Sequence, residues 1–380
     1  MNQAAVTLTR AMTRWVLEVL RPKENGLTDA ADTDLDPVPG MTRQGFEAAE
    51  RRVETAEPES AAVEPEPEAV APAEAPIPAP PPRAESAAPM PETPSAPGFG
   101  FPMLQRASTT AAQPWLLPRE PAGPGIAADE ATLGDLGIRA ASIIGPGHRA
   151  NGKPRQDAYR IGQDQAGQHL IVAVADGMSD SRYSDIGANI AVVALVMVLR
   201  EFLDGGGALE SLEAEEIFTA AAGQMYHAAT QRDWSADDVR AVAVAAVIPA
   251  RPDARGARRI WLACLGDASA WTMAAGTWQQ VVGDVKKGPA SNVVSAYLPH
   301  AVDQVVSGVS ELAPGCALAL MTDGLSDALG LGRAARDWFA ERWRRPPSAC
   351  AFLLDVGYDQ AQMLDDRTAV MVWGSEGAES

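Results

Sequence analysis

The sequence predicts an α+β fold: an αββα sandwich of two mainly antiparallel β-sheets flanked by helices, preceded by a disordered N-terminal arm. Three observations carry this reading. Short β-rich runs recur through residues 131–376, several connections between them are too short for a crossover helix, and helix-periodic stretches separate the strand clusters. Before residue 131 lie 21 of the 30 prolines of the 380-residue chain, so an arm and one large domain are expected.

The elements follow in order. Residues 1–23 read as an amphipathic helix, with Leu8, Met12, Trp15, Val16, Val19 and Leu20 on one stripe and Arg10 and Arg14 off it. With Arg21 and Lys23 just beyond, it suits a docking partner's groove, a membrane surface or a plain terminal role, and the sequence leaves these open. Residues 24–130 read as a disordered Pro/Ala/Glu-rich linker. Its run from Glu57 to Pro97 lacks the large apolar side chains that would offset the entropy of ordering, and repeated Pro favours extended chain. Within it, Phe99 to Leu117 is apolar out of keeping with its surroundings. That stretch is either a short docking motif or a strand or clasp lying on the following domain.

Across residues 131–376, strands are expected at Ile138–Ile144, Ala158–Ile161, Leu170–Ala175, Ala241–Ile248, Ile260–Leu265, Ala270–Met273, Ala317–Met321 and Ala369–Trp373, most of them bounded by Gly, Pro, Asp or Asn. Helices are expected at Asp185–Phe202, Leu212–Gln231, Arg333–Trp343 and Ser348–Met363; the first is apolar nearly all round and should be buried.

Charge and composition narrow the function. Lys plus Arg number 31 against 50 Asp plus Glu, a formal net charge of −19, which argues against general binding of nucleic acid or anionic membrane and favours a cationic ligand. The three cysteines, Cys264, Cys316 and Cys350, fall singly in apolar stretches. Neither a disulfide framework nor a zinc site is expected, and a cytoplasmic location fits. No uncharged apolar run of about 18 residues is expected to span a membrane, and the first residues lack the compact core of a secretory signal. The CxxxxxR, GxxxxGK[ST] and GxSxG motifs are missing as well.

Carboxylates stand at the ends of apolar runs: Asp157 in RQDAY, Asp176 in VAVADGMSD, Asp323 in LALMTDGLSD, and Asp365 with Asp366 in LDDRTAVMVW. One such Asp merely caps a turn or helix. Several converging at buried strand mouths repel one another unless cations compensate. Oxygen donors without Cys or His select Mg²⁺ or Mn²⁺ over zinc.

His148-Arg149, GKPRQDAY, VADGMSD, CLGDASAW, MTDGLSD and DDRTAVMV, in that order, resemble the motifs of the metal-dependent protein phosphatase 2C family, bacterial type with a Gln-Asp first motif. The resemblance spans Gly145 to Trp373, about 60% of the chain. It implies that Asp176 bridges two metal ions, that Asp323 and Asp365 complete one shell, and that the Gly177 carbonyl reaches the other ion beside a sharp turn of the backbone. Asp157 would hold metal-bound water, and Asp267 with Asp323 would take a third ion. Asp327 is either part of that site or an ordinary first-turn acid. The implied activity is hydrolysis of phosphoserine and phosphothreonine by a metal-activated water, with phosphoprotein substrates and a cognate serine/threonine kinase or its targets as partners.

Several positions depart from the family pattern. Gln156 stands where many relatives have Glu, Ser179-Asp180 replace small residues after Met178, and Ala268-Ser269 replace Ser-Arg. The usual phosphate-gripping arginine position falls on Gly152, which leaves Arg149 as first candidate and Arg155 as second. The competing reading is a catalytically weak or inactive phosphatase-like module that binds phosphoproteins.

Overall fold

The computed structural model describes residues 101–110, 113–283 and 295–374. The helix expected over residues 1–23 and the linker up to residue 100 lie outside the described residues.

Two antiparallel sheets pack face to face. The first runs in the order β1 (Ile126–Leu133), β2 (Leu136–Ile143), β11 (Arg367–Trp373), β10 (Ala317–Met321), β7 (Ser269–Ala274), β8 (Thr277–Val282). The second runs β3 (Asp157–Gln163), β4 (His169–Gly177), β5 (Ala241–Pro249), β6 (Arg258–Leu265), β9 (Val306–Leu312). Between the sheets, Val172, Val174, Val244 and Ala246 pack with Leu318, Leu320, Val370 and Val372.

On the other face of the second sheet, the small Ala173, Ala175, Ala243 and Ala245 lie with Ile171, Val247 and Trp261 under the helices α2 (Ser184–Asp204) and α3 (Ala214–Thr230). A short helix α1 (Pro146–Ala150) precedes β3. On the outer face of the first sheet, Ala319, Met321, Ala369 and Met371 meet α4 (Asp323–Gly330), α5 (Arg333–Arg342) and α6 (Ala349–Val356) through Leu325, Phe339 and Phe352. Central strands covered on both faces read as continuous apolar runs, and each large side chain so buried contributes roughly 1.5–3 kcal/mol. The long apolar helix α2 meets the length and composition of a membrane span, but it is mostly buried as the core helix of this layer.

All eight expected strands form. Three more, β1, β8 and β9, escape the sequence pattern because each is a sheet edge: β9 is exposed along nearly its whole length, and β1 carries acids on an open face. The folded region therefore begins before the expected boundary at 131, since Ile126 already pairs with Ile143.

Residues 101–110 and 113–117 lie on the domain as a clasp. Met103 bridges Asp359 in parallel fashion, Leu104 N–H donates to the Asp359 carbonyl at 2.9 Å, Asp359 N–H to Pro102 at 2.8 Å, and Ala361 N–H to Arg106 at 2.6 Å. This clasp also corrects the helix expected over Ser348–Met363, which stops at Val356. The following Gly357 packs so closely on Phe101 that a Cβ there would lie 2.4 Å from its ring. Residues 359–361 then bond to the clasp instead of continuing the helix.

Candidate active site

The sheet registers gather the acids. Asp157 opens β3 and Asp176, one residue from the end of β4, is its direct partner. From the other sheet, Asp323 begins α4 just after β10, and Asp365 and Asp366 just precede β11; β10 and β11 are antiparallel, with Met321 opposite Ala369, so both loops emerge at one end. Asp267 occupies the turn between β6 and β7. Asp176, Asp267, Asp323 and Asp365 line one open cleft of about 730 Å³, as do Asp180 and Asp327. Asp157 lies beneath it, 1% exposed.

This convergence is electrostatically costly. Desolvation, then Asp366 and Asp365, push the Asp157 carboxyl well above the usual carboxylate range. Asp176 is likewise pushed well up, first by desolvation and then by Asp157, Asp323, Asp365 and Asp267. Asp365 is pushed up to about 6 by desolvation and by Asp323 and Asp366.

Asp157 Oδ2 accepts from the Thr322 hydroxyl at 2.8 Å, and Thr322 Oγ1 in turn accepts the Thr368 N–H at 3.0 Å. Asp157 Oδ1 is buried with no hydrogen-bond partner among the described residues. A buried oxygen without a donor, inside a set of mutually repelling hard-oxygen ligands, fits divalent cations of the Mg²⁺ and Mn²⁺ type.

Asp366 has a different task. Its Oδ1 accepts the Gly145 N–H at 2.6 Å and faces His148 Nδ1 at 3.0 Å, and its Oδ2 accepts the Gln156 N–H at 2.5 Å. It ties the segment between β2 and β3 to the start of β11. Burial lowers the His148 pKa, but Asp366 and Asp365 outweigh burial and leave it above 6.5. His148, Asp365 and Asp366 present ligand atoms within 4.8 Å of one another. The oxygens of Asp366 already serve two backbone N–H groups, so Asp366 and His148 form scaffold beside the acid cleft, while Asp365 lines the cleft itself.

Gly177 ends β4 in extended backbone, paired with Ala241, and does not form the sharp turn expected of it. Glycine is needed there for another reason: a Cβ would lie 2.5 Å from the Ser184 carbonyl oxygen and 2.9 Å from that of Gln156.

Neither arginine singled out in the sequence lines the cleft. Arg149, buried on α1, lays its guanidinium 5.2 Å from the Trp115 ring centroid and lines a small cavity with Phe101 and Asp359. Arg155 has Nε and Nη1 buried without hydrogen-bond partners among the described residues; desolvation lowers its pKa while Asp157 and Asp366 oppose that. Gln156 is buried, with its side-chain oxygen also unpartnered among those residues.

Among the described residues that line the cleft, the cation is Arg240, which sequence reasoning missed. It precedes β5, and its Nη2 lies 3.0 Å from Asp180 Oδ2 while its Nε donates to Ser181 Oγ at 2.9 Å and to the Asp237 carbonyl at 3.1 Å. Its guanidinium carbon sits 5.4 Å from the Tyr297 ring centroid. The only local signal was a charge placed directly before an apolar strand.

A family model described as Protein phosphatase 2C matches residues 144–351, more than half of the chain. Among solved structures, the S. agalactiae serine/threonine phosphatase is 18% identical, over 63% of this chain and 100% of that one, with a TM-score of 0.47. PppA, a regulatory component of T6SS in Pseudomonas aeruginosa, is 17% identical over 65% and 100%, with a TM-score of 0.43. The PPM Ser-Thr phosphatase MsPP from Mycobacterium smegmatis is 15% identical over 64% and 100%, with a TM-score of 0.43. No curated protein matches this chain.

Proposed function

Because this chain belongs to the protein phosphatase 2C family, we propose that it is a metal-dependent serine/threonine protein phosphatase acting on phosphoproteins. The observation that carries this reading is the convergence of Asp157, Asp176, Asp323 and Asp365, from both sheets, at one cleft where their carboxyls destabilise one another.

In this reading Asp176, Asp323, Asp365 and the Gly177 carbonyl would hold two ions, Mn²⁺ or Mg²⁺, and Asp267 with Asp323 would take a third. When bound, such ions supply an acidified water for in-line attack on phosphorus and neutralise the charge that builds on the phosphoryl oxygens. Asp157, fixed at Oδ2 by Thr322, offers Oδ1 as the acceptor that orients water in the site. Arg155 supplies positive charge beneath the acids. The Asp366 contacts to Gly145, His148 and Gln156 keep the segments bearing Asp157 and Asp365 in register.

The substrate proteins belong to the same proposal, with a cognate serine/threonine kinase or its targets as the expected partners. So does a cytoplasmic location, which suits Cys264, Cys316 and Cys350, none of them in a disulfide among the described residues. The test is hydrolysis of a phosphothreonine peptide by the full chain in EDTA, Mg²⁺ or Mn²⁺. Turnover that requires the metal and disappears in Asp323→Asn supports the proposal; metal-independent turnover, or none in any metal, overturns it.

A further inference from the structure

A phosphate dianion entering this cleft meets six carboxylates, Asp176, Asp180, Asp267, Asp323, Asp327 and Asp365, and among the described lining residues one cationic side chain, Arg240. Arg149 lays its guanidinium against Trp115, and neither it nor Arg155 lines the cleft. Resting on the phosphatase reading above, we propose that Arg240 is the phosphate-recognition residue of the site and that Asp180 is its exchangeable anionic place-holder.

Arg240 is set in position before any ligand arrives. Ser181 Oγ and the Asp237 carbonyl both take its Nε hydrogen, the Tyr297 ring lies beside the guanidinium, and the side chain is only 16% exposed. A guanidinium held in one plane loses little freedom when it grips a phosphate with two parallel N–H bonds.

Asp180 is anchored quite differently. Its side chain is 68% exposed, and its contact with Arg240 Nη2 at 3.0 Å is the kind of rim ion pair that contributes little stability. A dianionic phosphate, with more charge and more acceptor oxygens than a carboxylate, displaces it. A glutamate or aspartate on a peptide competes with Asp180 on equal terms and gains nothing. The pair therefore selects phosphorylated side chains over merely acidic ones. It also resolves two departures from the family pattern at once: Asp180, which stands where relatives have small residues, is neutralised by Arg240, and Arg240 stands in for the arginine whose usual position falls on Gly152.

The experiment is fluorescence anisotropy of a labelled phosphothreonine peptide with the full chain in Mn²⁺, beside the same peptide carrying Glu, together with steady-state kinetics and calorimetric Mn²⁺ binding. For Arg240→Gln the expected result is phosphopeptide binding weaker by about 10- to 100-fold, a rise in KM larger than the fall in kcat, and Mn²⁺ affinity within about twofold of wild type. Asp180→Asn should tighten phosphopeptide binding several-fold and erode the preference over the Glu peptide, and that gain should vanish in the double variant.

An Arg240→Gln protein that binds the phosphopeptide like wild type overturns the inference, as does loss in step with Mn²⁺ binding. Should Arg240→Gln fail to fold, Asp180→Asn decides, because it alters only an exposed rim residue: no tightening overturns the proposal. Wild-type turnover with an unaffected Arg240→Gln variant sinks this inference alone, whereas a wild type that neither binds nor hydrolyses the phosphopeptide sinks the phosphatase reading with it.

Discussion

Asp157 and Asp176 are direct partners across the β3–β4 ladder, so the pairing register itself holds two carboxylates side by side at one end of the sheet. Both are pushed well above the usual carboxylate range. A sheet that builds repulsion into its own hydrogen-bonded frame gives up stability for a site.

Without metal, the acid cleft should make the protein less stable as pH rises. The Asp365 carboxyl sits at about 6 in the fold against an ordinary value of 3.8, and Asp157 and Asp176 are raised as well. Between the ordinary and raised values the folded state binds more protons than the unfolded chain, so stability falls as pH rises through about 6 and stays low above it. Thermal unfolding in EDTA should show a higher Tm near pH 6 than at pH 8, and Mn²⁺ at pH 8 should restore it. A Tm indifferent to Mn²⁺ would sink this prediction.

Thr322 locks Asp157 through one hydroxyl that donates to Oδ2 and accepts the Thr368 N–H. Thr322→Val keeps the shape and removes both bonds, at a cost of about 1–3 kcal/mol. Urea unfolding should show that loss, calorimetry should show weaker Mn²⁺ binding, and Thr322→Ser should recover most of both.

Gly177→Ala places a methyl 2.5 Å from the Ser184 carbonyl oxygen, which is backbone and has little room to move. The expected cost is about 2 kcal/mol or more, with β4 and α2 forced apart. A variant that melts within a degree of wild type and still binds Mn²⁺ would show that the close approach does not matter.

The clasp at 101–108 holds residues 359–361, which lead directly into Asp365. Phe101→Ala in the full chain should cost about 1–3 kcal/mol, raise amide exchange at Leu104, Asp359 and Ala361, and weaken Mn²⁺ binding. Removing residues 1–98 should leave Mn²⁺ binding unchanged, whereas removing residues 1–117 should weaken it. Equal behaviour of the two truncations would separate the clasp from the site.

Legibility in the sequence followed the locality of each signal. Strands covered on both faces, such as Ala241–Pro249, are buried residue after residue and stand out. Three of the four sheet-edge strands, β1, β8 and β9, do not, because an exposed edge needs no sustained apolar pattern. The acids were legible because each abuts an apolar strand, so burial and charge could be read together.

Arg240 was not legible, since its partners Ser181 and Tyr297 lie 59 and 57 residues away in the chain and meet it only through the fold. Arg149 differs in the opposite sense: it sits just before the first acidic motif in sequence, but in the fold its guanidinium lies against Trp115. The reason for glycine at 177 was likewise a tertiary contact, with Ser184, and not a local turn.

The most direct measurement of the central claim is calorimetric titration of Mn²⁺ into the EDTA-stripped, dialysed full chain, beside Asp176→Asn, whose fold is checked by circular dichroism. A cleft built to hold divalent ions predicts saturable binding of at least two ions by wild type and loss of at least one in Asp176→Asn. Folded wild-type protein that takes up no Mn²⁺, or an Asp176→Asn variant that binds as wild type does, would contradict it.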